Sequence, residues 1–181
     1  MMGIGLVLMV SALYGSYGLA GALAASNAVA WALGTAALSN LVDRYGQRRV
    51  MYPAAIVSAV MLSLLVIFAM LKLPAWTLFA PAVLSGATGG APGALVRARW
   101  NNATNDPDLL HTAYALESTL DEVTFVVGPV LATALSTGVH PAAGLIAPVV
   151  LSLVGAQLLY SQRATEPPIV PRVYAGGEKP P

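Results

Sequence analysis

The sequence predicts an all-α, polytopic membrane bundle of about six transmembrane helices, and three observations carry that expectation. The 181 residues are 57% hydrophobic and only 9% charged, too little polar surface to keep a monomer in water. The charges are bunched, leaving charge-free runs at 1–42, 50–71, 73–96 and 123–162, each as long as one or two spans. The positive residues recur at intervals that put nearly all of them on one side of a bilayer. A net charge of +1 without a lysine cluster argues against a nucleic-acid partner. The absence of cysteine removes disulfides, thiolate chemistry and Cys-based metal sites from consideration.

No positive residue precedes the first apolar stretch, so it reads as retained spans rather than a signal peptide. As one helix, 1–42 would be roughly 60 Å long, twice a bilayer core, so it must fold back. Gly15, Ser16, Gly18 and Gly21 mark the turn. The first span then covers only 3–17, less than the roughly 20 residues a bilayer asks for, as expected if the native start lies upstream. The second continues to Val42. The third occupies 50–71, with Pro53 in its first turn, where a missing backbone donor is harmless. Lys72, Leu73 and Pro74 make a short outer turn. The fourth span, 75–98, is bracketed by Trp76 and Trp100, roughly 36 Å apart along a helix and so one at each interface.

A polar loop, 99–110, leads to the fifth span, from His111 or Thr112 to Ser136; residues 137–140 connect it to the sixth, 141–160. The tail, 163–181, holds five prolines (Pro167, Pro168, Pro171, Pro180 and Pro181) with Gly176 and Gly177, the composition of a disordered linker. Arginine and lysine in short loops stay cytoplasmic, so Arg44, Arg48, Arg49, Arg97, Arg99, Arg163, Arg172 and Lys179 place both termini in the cytoplasm. Lys72 alone falls outside.

Between spans two and three lie Ser39, Leu41, Asp43, Arg44, Gly46, Arg48 and Arg49. This stretch resembles the loop signature of the major facilitator superfamily, G-x-L-a-D-r-x-G-r-k, with Ser39 for the opening glycine and Gln47 for a basic residue. Gly46 permits a tight reversal, and the arginines would anchor among anionic head groups. The resemblance covers the six spans and implies the first half of a twelve-span secondary transporter, whose halves rock about a midplane cavity. It also implies that Asp43 helps hold the cytoplasmic side closed through contacts to the second half, and that the tail begins the linker between halves.

In span four, Gly86 with Gly90 and Gly89 with Gly93 are small-xxx-small pairs, read as helix packing, with flexing at Pro92 as the second reading. Span five carries Glu117, Asp121 and Glu122, which are expensive in lipid. Glu117, Asp121, Thr124 and Gly128 recur at i, i+4, i+7 and i+11, forming one stripe that must face protein or water. Glu117 is expected to join a charge network with Arg97, Arg99 or Arg44. Asp121, about four residues deeper, is open between pairing and proton coupling, and Glu122 is undecided. Gly128 and Pro129 resemble the glycine-proline motif of antiporter members of the superfamily, although Ala115, Thr124, Ala132 and Thr133 stand where glycines are expected.

His111 and His140 fall at opposite membrane edges, and no zinc, Ser-His or phosphate-loop pattern occurs, so no enzyme is expected. The expectation is half of a transporter moving a small solute across the cytoplasmic membrane, with proton-coupled efflux as its finer form. Its partners would be the bilayer, the solute, and a second six-helix half or a second copy of itself; no cofactor or metal is called for. The alternative is a non-transporting remnant or assembly subunit without a complete cavity. If the charge rule holds, Arg48→Cys and Thr165→Cys react with an impermeant thiol reagent only from the cytoplasmic face and His140→Cys only from outside. Labelling of position 48 from outside would contradict this topology.

Overall fold

The computed structural model describes residues 2–169, and among them all regular structure is helical. The helices are α1 (Met2–Tyr14), α2 (Tyr17–Tyr45), α3 (Gln47–Met70), α4 (Phe79–Ala87), α5 (Pro92–Ala103), α6 (Pro107–Gly138) and α7 (Ala143–Ser161). A single 3₁₀ turn, Ala75–Leu78, leads into α4. Helices α2, α3, α6 and α7 are long and apolar enough to cross a membrane, whereas α1 is a shorter apolar helix.

The first turn falls where the sequence puts it. Gly15 takes a φ of +66°, and Ser16 caps α2 by accepting from the Leu19 amide at 3.2 Å. Gly18 and Gly21 lie inside α2. At this end of the bundle the Tyr14 hydroxyl donates to the Leu73 carbonyl at 2.7 Å, tying α1 to the turn after α3.

Three expectations need correction. Pro53 does not lie in the first turn of its helix: α3 begins at Gln47, so the ring falls inside it, one turn further on. The signature between spans two and three is almost wholly helical: Asp43 and Arg44 lie in the last turn of α2, Arg48 and Arg49 in the first turn of α3, and only Gly46 stands between the helices. Its φ of +88° makes the corner there. The fourth span is not one helix over 75–98. It breaks at 88–91, where Gly90 adopts a φ of +63° and Pro92, at the start of α5, has no N–H to continue the ladder. The Gly90 carbonyl freed by the break accepts from the indole nitrogen of Trp31 on α2 at 2.7 Å, the satisfaction a broken helix needs within a membrane.

The tightest crossing joins α2 to α4. A Cβ on Gly86 would strike the Asn27 carbonyl, and one on Gly34 would strike the backbone of Ala87. The same approach lets Asn27 donate to the Ala82 carbonyl at 2.8 Å and to Ser85 at 3.1 Å, while Ser58 on α3 donates to the Ser85 carbonyl at 3.0 Å. Small residues that admit close backbones and polar side chains that bond across them are how helices associate where lipid removes the hydrophobic incentive. A second close contact sets Gly5 of α1 against Gly144 of α7, which in turn packs on Ala132 of α6. Around them Leu6, Met9, Leu23, Leu65, Leu78 and Leu145 fill the core.

The tail expected over 163–181 falls mostly outside the described residues. Its first part, 163–169, lies against α3 and α5. The packing of α4 gives a test: Gly86→Ala should destabilise the bundle by about 1–3 kcal/mol through overpacking. Gly155→Ala, where a Cβ meets nothing within 4 Å, should be neutral. Thermal unfolding of both variants in detergent or nanodiscs measures the difference.

Candidate functional site

Helix α6 is laid down by strong local signals. Asp106 caps it, accepting from the Asp108 amide at 3.0 Å, and Pro107 occupies its first position. At 32 residues it is about 48 Å long, more than a bilayer core, and Asp121 lies near its middle. Only a narrow face is packed. Ala113, Gly128, Ala132 and Ser136 are buried, whereas Leu120, Val123, Phe125, Val126 and Val127 are exposed.

Along that face, the middle of α5 and the first half of α6 bring three charges together. Arg97 places Nε 3.3 Å from Oε2 of Glu117 and Nη2 3.8 Å from Oδ2 of Asp121. The spacing of four residues on α6 puts both carboxylates on the stripe the sequence suggests, and one guanidinium spans them. Their surroundings differ. The Glu117 side chain is 11% exposed and that of Asp121 67%. The second oxygen of Glu117 is buried and has no hydrogen-bond partner among the described residues. It lies 3.6 Å from where a Cβ on Gly93 would sit, in the first turn of α5. That turn has no side-chain cap of its own, so the carboxylate lies near the positive end of the α5 dipole. Glycine at 93 leaves it room. Glu122 is exposed and lies outside the cluster.

Arg99, which the sequence groups with Glu117, goes elsewhere. Two residues along a helix turn its side chain to another face, where it is buried, with 5% exposure. Its Nε donates to Oε1 of Gln47 at 2.9 Å. Its Nη1 donates to the carbonyls of Leu159 and Gln162, each at 2.8 Å, and to Oγ1 of Thr165 at 3.0 Å. Its Nη2 is buried without a partner among the described residues. The guanidinium carbon stands 6.0 Å from the centre of the Tyr160 ring. With no carboxylate within ion-pair range among the described residues, the cation is stabilised by carbonyls at the C-terminus of α7, the negative end of that helix.

Of the signature residues, Asp43, Arg44 and Arg49 are exposed, and none of them, nor Arg48, forms an ion pair among the described residues. Arg44 is therefore not part of the Glu117 cluster. Gly46 is buried. The glycines of the fourth segment serve different ends. Gly86 admits α2, a Cβ on Gly89 would stand 3.1 Å from the Trp31 ring, Gly90 makes the break, and Gly93 faces Glu117. Pro129 sits within α6 beside buried Gly128 without ending the helix, its carbonyl accepting from Thr133 at 2.8 Å.

The structure adds Asn27, Trp31, Gln47, Tyr160, Thr165 and Glu166, to which the sequence alone assigns no role. Asn27 carries a usable signal, a lone amide inside an apolar run. Gln47 is visible as a departure from the signature, but its partner, Arg99, is not.

The family model described as Major Facilitator Superfamily matches residues 1–179, nearly the whole chain. No curated protein and no solved structure gives a significant match. If Arg97 and Glu117 are coupled, Arg97→Gln and Glu117→Gln will be less destabilising together than the sum of the singles. A non-additivity of about 0.5–1 kcal/mol suits a pair with one half-exposed partner. Thermal unfolding of the two singles and the double measures it.

Proposed function

The chain belongs to the Major Facilitator Superfamily, a transporter family and not an enzyme family, and we propose that its bundle is one half of a secondary transporter for a small solute. The half would sit in the cytoplasmic membrane with both termini inside, completed by a second six-helix half or a second copy of the chain. The observation that carries this reading is α6. Its middle carries exposed Asp121 and Glu122 on a helix long and apolar enough to span, and such carboxylates must meet water or protein rather than lipid. A facing half with a water-filled cavity between provides both.

In this reading the cluster of Arg97, Glu117 and Asp121 is where proton coupling to efflux would reside. One guanidinium shared by two carboxylates leaves the cluster an excess negative charge, which a proton can cancel. Asp121 is the more accessible of the two and is the group we assign to proton exchange, with Glu117 holding Arg97 in place. Glu122, exposed and turned away from the cluster, is the second candidate. The signature residues Asp43, Arg44, Arg48 and Arg49, with the Gly46 corner, would meet the second half at the cytoplasmic gate. Gly128, Pro129 and the break at Gly90 to Pro92 are positions at which helices could flex as the halves rock.

The test uses the assembled complex in liposomes with a proton gradient. Asp121→Asn is expected to abolish proton-driven solute movement while leaving solute exchange, since asparagine keeps shape and hydrogen bonding but binds no proton. Glu117→Gln is expected to reduce yield or stability first. Wild-type proton flux in Asp121→Asn would return that residue to a structural role. Flux through verified single copies would refute the need for a second half and favour a complete cavity within this chain.

A further inference from the structure

Helix α3 begins without a cap of its own. Its N-cap is Gly46, which has no side chain, so its first-turn amides need an acceptor from elsewhere. That acceptor arrives from more than a hundred residues away: Oε1 of Glu166 accepts from the Arg48 amide at 2.8 Å. The same oxygen lies 3.3 Å from where a Cβ on Gly46 would stand, and the Ile169 side chain lies 3.7 Å from that point. One residue before Glu166, Thr165 is held by the buried Arg99. Arg99 in turn grips the end of α7 and, through Gln47, the first residue of α3.

We propose that residues 163–169 form a strap that closes the end of the bundle carrying the signature, with Glu166 as the cap of α3 and Arg99 as the clasp. The strap passes over the Gly46 corner, so a displacement of the strap is transmitted to the helix turn that carries Arg48 and Arg49. Glycine at 46 then has two duties, the backbone corner and clearance for the strap. The device depends on reach and hydrogen bonding rather than on charge alone, because the contact is a single carboxylate oxygen on a single amide. It is independent of the coupling role given to Asp121.

Hydrogen exchange on the full chain in nanodiscs distinguishes these ideas. Glu166→Ala removes the acceptor, and Glu166→Asp keeps the charge but shortens the reach. Each is expected to speed exchange of the Arg48 amide about fivefold, the loss of a helix cap. Glu166→Gln retains a carbonyl oxygen at the same reach and is expected to stay near the wild-type rate. Amides in α4 serve as the internal reference and should not change. If Glu166→Ala does not insert, the Asp and Gln variants carry the comparison. Protection by Asp but not by Gln would overturn the cap in favour of a general charge effect. Wild-type exchange in both Ala and Asp variants would show that the strap does not engage α3.

Discussion

A chain that lives in lipid must satisfy its polar groups internally, and in this bundle the demand converges on Arg99. A buried guanidinium without a carboxylate would ordinarily be costly. Here it is surrounded by acceptors that themselves need donors: the Leu159 and Gln162 carbonyls at the end of α7, the amide oxygen of Gln47 and the hydroxyl of Thr165. Each of these bonds solves a problem of the fold as well as of the charge. Arg97, two residues earlier, does the opposite work, holding one nearly buried carboxylate, Glu117, and one exposed carboxylate, Asp121, on α6. The middle of α5 thus separates a buried, structural cation from one that faces outward.

The same rule explains the middle of the bundle. The fourth segment breaks at Gly90 and Pro92, and the carbonyl set free is taken by Trp31. Asn27, Ser58 and Ser85 bond across a crossing that only Gly34 and Gly86 make close enough. Packing and polar satisfaction are therefore one device at α2, α3 and α4. In contrast, α6 is packed on a narrow face and exposes both apolar and acidic residues elsewhere.

Much of this is legible in the residues. The helical class, the first turn at Gly15 and Ser16, the superfamily and the α6 stripe follow from charge-free runs, turn chemistry and spacing, which are local. The signature at Asp43 to Arg49 is recognisable, but its helical form is not, since basic residues and one glycine read equally well as a loop. The break in the fourth segment is hidden because its charge-free run continues to Val96 and small residues suit a packed helix as well as a bent one. Arg97 and Arg99 both sit close enough in sequence to join Glu117, yet which arginine turns toward α6 depends on a helix rotation that two neighbouring positive charges do not reveal. Glu166 lies in a segment whose prolines signal a linker; its contact with Arg48 is a long-range pairing without a local pattern.

The Arg99 fork ties α3, α5 and α7 together at the end of the bundle that carries the signature, and the rest of that end depends on it. Thermal unfolding of Arg99→Lys and Arg99→Met in nanodiscs tests this most directly. Lysine keeps the charge but cannot present the fan of donors, so both variants are expected to unfold at lower temperature, with a loss of about 3 kcal/mol or more for methionine, which leaves the carbonyls unpaired. A methionine variant as stable as the wild type would contradict the account, because that end of the bundle would then be held by packing alone.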